Sequence, residues 1–267
     1  MKFTVLGANG FIGSHLVRYL KGQNYECYTL DIRKENLSNQ NLGNIIYTLG
    51  VTDFINKPRK TIDAHVCILN QILRESNFDS MLYFSSGRIY YNASSTREDE
   101  SVTVNPTSLD HLYNISKIMG ESICVGFKRK KIKIVRPSNV LGIGATENNF
   151  VPSIISDAIK NNKIVLRSTL DSEKDYVDID DLVRLIPKIL LEGKSDIYNI
   201  ASGHNTKTRD ILDEIVKLTD CTVEIEKDAK KFSYPEISID KIKNEFNFTP
   251  TPVVNQIRKM VSKYQKN

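Results

Sequence analysis

Lys2-Phe3-Thr4-Val5-Leu6 runs straight into Gly7-Ala8-Asn9-Gly10-Phe11-Ile12-Gly13, and this junction constrains the fold more than any other feature of the 267 residues. The first five form a short apolar, β-branched run of the kind buried on both faces of a parallel sheet. From residue 11 to residue 20 the apolar side chains fall at helical spacing. Strand, glycine turn and helix in that order predict the opening unit of a doubly wound parallel α/β sheet. Gly7 permits the tight turn, Gly10 lets a pyrophosphate approach the backbone, and Gly13 lets the helix close on the strand. Asn9, Phe11 and Ile12 complete a loop whose amides, at the positive end of a helix, suit phosphates.

A second strand, Glu26–Leu30, ends at Asp31, eighteen residues after Gly13. An acid there is placed to hold the ribose hydroxyls of NAD and to repel the additional phosphate of NADP. Ile32 adjoins it, and Arg33 and Lys34 bring charges within reach of a 2′-phosphate. NAD is therefore the expected cofactor, and NADP stays open. Tyr113-Asn114-Ile115-Ser116-Lys117 then sets a phenol one helical turn from an ammonium. A free phenol has a pKa near ~10. The neighbouring cation and a positive nicotinamide ring are expected to lower it, so that Tyr113 takes or returns a hydroxyl proton while hydride moves. Glycine loop and Tyr–Lys pair together point to redox chemistry at a carbinol carbon.

Further segments follow in order: Leu82-Tyr83-Phe84-Ser85-Ser86-Gly87-Arg88-Ile89-Tyr90, Val135-Arg136-Pro137-Ser138-Asn139-Val140-Leu141-Gly142, Lys174-Asp175-Tyr176-Val177 and Tyr198-Asn199-Ile200-Ala201-Ser202-Gly203. With these the chain resembles the extended short-chain dehydrogenase/reductases, the NAD(P)-dependent epimerase/dehydratase group that acts largely on nucleotide sugars. The resemblance implies one unit over residues 1–267. It is a Rossmann-like doubly wound parallel sheet with helices on both faces and a small C-terminal substrate lobe. The dinucleotide-binding core would span about 1–142 and the lobe about 143–267, with a return to the core near 176–200.

The resemblance also implies roles. Ser86, Tyr113 and Lys117 match the catalytic residues, with Ser86 bonding the reacting oxygen and Lys117 also holding the nicotinamide ribose. Leu49, Gly50 and Pro137 join the cofactor contacts. Ser86, Gly87, Arg88, Asn139, Phe150 and Lys174 fall on the substrate side, Asn139 and Lys174 at the diphosphate, and residues 164–170 form the strand beside the base. A lysine neutralises phosphate but lacks the bidentate grip of the arginine usual at that position. Relatives dimerise through two helices per subunit, here around 61–74 and 111–127, so a homodimer is implied.

Departures from the pattern narrow the reading. Only a dozen residues separate Asp31 from the strand at 44–50, which resembles the family's fourth. A helix and the edge strand are missing, which trims the sheet without opening its centre. His65 stands where Asn is expected and reads as a solvated or core histidine. Relatives that dehydrate a sugar carry an acidic pair after the Ser/Thr, and those that epimerise C3 and C5 carry a Cys at the position of Gly87. Glycine has no acid, and Arg88 is always cationic. C4 epimerisation through a transient ketone, or reduction of a keto-sugar, remains, in polysaccharide or glycan biosynthesis. The alternative is a non-catalytic dinucleotide sensor or partner-binding module of the same fold.

With 40% apolar residues, a net charge of +5 and a mean hydropathy of −0.31, the chain has the composition of a globular protein with a real core. The densest basic run, 128–131 with Lys133, reads as a solvated turn, and no broad basic face with aromatics suggests nucleic acid. Cys27, Cys67, Cys124 and Cys221 lack metal spacing and read as small buried residues of a reducing compartment. No cleavable signal and no long apolar span is visible, so a cytoplasmic location and no membrane partner are expected. The period predicts one helix over 61–73, and the polar stretch 91–110 is the candidate substrate lid.

Overall fold

The structure, a computed structural model, describes residues 1–32, 40–127, 131–147 and 149–266. The expectations for Arg33, Lys34 and the basic run 128–130 lie outside the described residues. The first strand, β1 (Lys2–Leu6), passes through the glycine turn into α1 (Phe11–Gly22) and β2 (Glu26–Leu30). β1 pairs with β2 in parallel from Lys2 opposite Glu26 to Leu6 opposite Leu30. The next strand, β3 (Asn44–Tyr47), pairs with the other side of β1, so among the described residues β2 is left at the edge of the sheet. No described residue forms the outer strand, and the burial of β2 is that of an edge. β1 is almost wholly buried, whereas β2 exposes Glu26, Tyr28 and Thr29. Lys2 lies 4.8 Å from the Tyr28 ring centre, covering part of that edge.

Helices α2 (Pro58–Ile62) and α3 (Ile68–Glu75) flank a π-helical turn, Asp63–Cys67, where the sequence period predicts continuous helix. The wide turn is held from outside. Tyr47 donates its hydroxyl to the Ala64 carbonyl at 2.6 Å and Tyr83 to the His65 carbonyl at 3.3 Å. Buried phenols thus satisfy carbonyls of a wide turn, a geometry found frequently at functional sites.

The chain continues through β4 (Ser80–Phe84), α4 (Leu112–Gly126) and β5 (Lys131–Pro137). It then makes an excursion through β6 (Asn139–Leu141), α5 (Phe150–Asn161), β7 (Lys163–Ser168), β8 (Glu173–Asp178) and α6 (Ile179–Glu192). Only then does β9 (Ile197–Ile200) complete a parallel sheet of order β2-β1-β3-β4-β5-β9. The remaining elements are β10 (Asn205–Lys207), α7 (Thr208–Thr219), β11 (Thr222–Lys230), α8 (Asp240–Phe246) and α9 (Val253–Tyr264). β8 pairs with β6 and β10, and β7 with β11. Leu16, Leu20, Leu182 and Ile186 of α1 and α6 bury one face of the main sheet, and Leu69, Ile72 and Cys124 of α3 and α4 bury the other. A separate cluster joins α5, α7 and α9 through Ile155, Ile215 and Met260.

Two expectations need correction. The stretch 91–110 is not a free lid over its whole length. Thr96 donates to the Glu236 carbonyl at 2.8 Å, and the buried Glu98 carboxylate accepts from the Asn199 amide at 3.0 Å, so its first half is bonded to the sheet and the closing segment. Only residues 101–110 run mostly exposed. Cys124 and Cys221 are buried as expected, but Cys27, on the edge strand β2, is only half-buried and Cys67, in the π turn, is exposed. Among the described residues no helix is long and apolar enough to cross a membrane.

Candidate active site

The glycine loop is built by close approach. Gly7 has φ +93°, and a Cβ there would meet the Thr48 hydroxyl at 2.7 Å. A Cβ on Gly13 would lie 2.2 Å from the Gly7 carbonyl, so only hydrogen fits where α1 crosses the turn. Gly10 caps α1 without a side-chain hydrogen bond. The leading amides of the helix, at Phe11 and Ile12 beside exposed Asn9, therefore have no intrahelical acceptor and face outward as an anion cradle. Asp31 and Ile32 follow β2, Leu49 and Gly50 follow β3, and Pro137 ends β5, so all open at the carboxyl ends of the strands. These residues fit a dinucleotide.

Ser86 follows β4 and accepts the Arg88 amide at 3.2 Å, which caps the short 3-10 turn Gly87–Tyr90. Tyr113 enters from the first turn of α4, its ring 5.6 Å from Phe54 and 5.2 Å from His65. Burial raises the Tyr113 pKa, while hydrogen bonding to Ser86 and the charge of Arg88 oppose it. The net direction is upward, contrary to the expected depression. Lys117 explains the difference. It is 3% exposed and donates to the Phe84 carbonyl at 2.7 Å, with Nζ 5.9 Å from the Tyr113 ring centre. Burial pushes its ammonium down to about 7, against the pull of Glu121. At neutral pH the protein alone thus holds Tyr113 as a protonated phenol, a donor before it is a base.

Of the two alternatives for His65, solvated or core, the structure shows the core one. It is fully buried, with Nδ1 2.8 Å from the Ser116 hydroxyl. Ser116 in turn donates to the Tyr113 carbonyl at 2.8 Å, so His65 must supply the proton to Ser116. Its Nε2 is left to accept from the Val51 amide at 3.4 Å. Burial and the Lys117 charge push its pKa down to about 2, so the ring is neutral. One imidazole therefore ties the strip after β3 to the turn that carries Tyr113.

Elsewhere, α5, β7 and β8 border a cavity of about 660 Å³ lined by Phe150, Leu166, Arg167, Lys174 and Phe232 among others. Burial and nearby Arg88 lower the Lys174 pKa, and its Nζ lies 5.6 Å from the Tyr234 ring centre. Asn139 is not among the described lining residues. It is exposed and donates to the Asp175 carbonyl at 2.8 Å. Gly87 is buried, and a Cβ on it would meet Ile237 at 2.8 Å and the Pro137 carbonyl at 3.1 Å. No side chain fits there, so Gly87 has only backbone to offer a ligand.

The profile of the NAD dependent epimerase/dehydratase family matches residues 3–55 and 44–201. The chain belongs to that family. A GDP-6-deoxy-D-mannose reductase of Pseudomonas aeruginosa is 23% identical over 262 residues, covering 87% of this chain and 84% of the relative. Among solved structures, the UDP-glucuronic acid 4-epimerase of Bacillus cereus, in complex with UDP-glucuronic acid and NAD, superposes with a TM-score of 0.81 at 18% identity. It covers 100% of this chain and 99% of the other. RMD from Pseudomonas aeruginosa, complexed with NADPH, gives 0.82 at 18% identity, covering 100% of both chains.

For a member of this epimerase/dehydratase family, the site holds residues that sequence patterns do not single out. Phe54 and Tyr234 lie in irregular segments, where no period marks them. Glu121 and Arg136 form a buried pair beneath the site, with Nε–Oε1 at 3.0 Å and Nη2–Oε2 at 2.6 Å. The signal for Glu121 was available, since it stands one turn beyond Lys117 and two beyond Tyr113 on the same helix face.

Proposed function

We propose that this protein is an NAD(P)-dependent enzyme that epimerises or reduces a nucleotide sugar by hydride transfer at a carbinol or ketone carbon, C4 in our reading, in polysaccharide or glycan biosynthesis. The observation that carries the reading is the grouping of Ser86, Tyr113 and Lys117, with Ser86 bonded to Tyr113 and Lys117 Nζ 5.9 Å from its ring centre, at the carboxyl end of the sheet that also carries the glycine turn. When bound, the nicotinamide supplies or accepts the hydride. Tyr113 gives its phenolic proton to the reacting oxygen or takes it back, and Ser86 holds that oxygen by a hydrogen bond. Lys117, released from the Phe84 carbonyl, would hold the ribose and favour the phenolate. Gly7, Asn9, Gly10, Phe11, Ile12 and Gly13 would bind the pyrophosphate, and Asp31 the adenosine ribose. Phe150 and Lys174 would face the nucleotide, with Asn139 at the diphosphate.

Exposed Ile62 on α2 and exposed Met119 and Val125 on α4 support a homodimer formed through those helices. The test is to release and identify the copurifying dinucleotide, titrate the stripped protein with NAD(H) and NADP(H), and assay UDP-, GDP- and dTDP-sugars by chromatography. Held NAD with interconversion of C4 epimers marks the epimerase, and NADPH oxidation by a keto-sugar the reductase. Failure to bind either dinucleotide refutes the proposal.

A further inference from the structure

Arg88 stands where dehydrating relatives carry an acid, and its surroundings say what the exchange is for. Its amide caps onto Ser86, its carbonyl accepts from Asn114 at 3.3 Å, and its guanidinium stacks 5.2 Å from the Phe54 ring centre, which itself packs on Tyr113. One terminal nitrogen donates to the Asp110 carbonyl at 3.3 Å. Nε is buried and has no acceptor. Among the described residues, no carboxylate oxygen comes within ion-pair distance of Arg88. A half-buried guanidinium with an unmet donor is costly unless a ligand completes it.

Arg88 is near enough to lower the Lys174 pKa, but the two cations have different immediate neighbours. Lys174 lines the 660 Å³ cavity, at the end expected for the nucleotide, and Arg88 does not. Arg88 lies instead on the side of Ser86 and Tyr113, where the reacting sugar carbon must come. We propose that the sugar accepted here carries a carboxylate, and that Arg88 binds it. This rests on the nucleotide-sugar reading above. A planar guanidinium can hold a carboxylate in two parallel hydrogen bonds once the side chain turns its buried Nε toward the ligand, and that donor stays unmet when the substrate offers only a methyl or hydroxymethyl group. Selectivity between acid and neutral sugars would thus come from one side chain.

The test measures dissociation constants by calorimetry for two matched pairs, UDP-glucuronate with UDP-glucose and GDP-mannuronate with GDP-mannose, on dinucleotide-loaded wild type, Arg88→Met and Arg88→Lys. Free UDP and GDP are included, and dinucleotide binding checks that each variant is folded. Wild type is expected to prefer the uronate of at least one pair by roughly 10- to 100-fold. Arg88→Met should erase that preference and leave UDP or GDP binding alone, while Arg88→Lys should keep part of it. Equal binding of acid and neutral sugars by wild type overturns the proposal and leaves the nucleotide-sugar reading standing. So does an Arg88→Met variant that weakens free nucleotide and both sugars alike, since the guanidinium then serves the diphosphate. If wild type binds dinucleotide but no nucleotide or nucleotide sugar, the broader reading fails and takes this one with it.

Discussion

Replacing His65 by Asn should flatten the acid dependence of stability. In the native protein His65 donates to Ser116 and accepts from Val51, and burial beside Lys117 holds its pKa down to about 2. In the unfolded chain it takes a proton below about pH 6.5. Between those values the unfolded state binds one more proton than the native state, so stability rises with pH and is lost as pH falls. The slope approaches about 1.4 kcal/mol per unit, or roughly 1.5–2 kcal/mol between pH 6.5 and 5. Carboxylates add little until lower pH, and Lys117, with a native pKa of about 7, is protonated in both states through most of this window. Urea unfolding at pH 7.5, 6.5, 5.75 and 5 measures the effect on wild type and His65→Asn side by side. The variant should lose less, so the difference between the two proteins shrinks or inverts towards pH 5. Parallel curves from pH 6.5 to 5 would refute the neutral, doubly bonded His65.

Tyr113→Phe should lower kcat by about 10²- to 10⁴-fold, the usual worth of a positioned acid–base group, with dinucleotide affinity within about twofold of wild type in a fluorescence titration. Gly13→Ala places a methyl 2.2 Å from the Gly7 carbonyl and should cost about 1–3 kcal/mol in denaturant unfolding, together with most of the dinucleotide affinity. Glu121→Ala leaves the Arg136 guanidinium buried with only the Tyr90 hydroxyl and the Glu98 carbonyl as partners. A loss of about 3 kcal/mol is expected, roughly 6–12 °C in Tm by calorimetry. The double variant Glu121→Leu with Arg136→Met should be less destabilised than Glu121→Ala alone, because no unpaired charge remains.

The glycine loop was legible because its requirements are local. A positive φ at Gly7 and a carbonyl touching Cα at Gly13 admit one residue type, so the letters themselves carry the geometry. The truncated sheet edge was legible too, since a dozen residues cannot hold a helix, a strand and their turns. Other features depend on partners far along the chain. The π turn at Asp63–Cys67 looks like ordinary helix in its period, and it widens where Tyr47, Tyr83 and Ser116 draw on Ala64 and His65. The lid was misjudged in its first half because Thr96 and Glu98 bond to residues more than a hundred positions away.

What the sequence determined by itself was the glycine turn between strand and helix, the parallel α/β order and the placing of a phenol one turn from an ammonium. Each follows from backbone stereochemistry or from helical and strand periods, which act over a few residues. Tertiary structure alone decided how those groups are charged. Lys117 turns to the Phe84 carbonyl and is desolvated, Tyr113 is held as a phenol, His65 is neutral, and Arg88 faces the site with an unmet donor. Solvation and pairing depend on what the rest of the chain packs around a side chain, and that is settled only when distant segments meet.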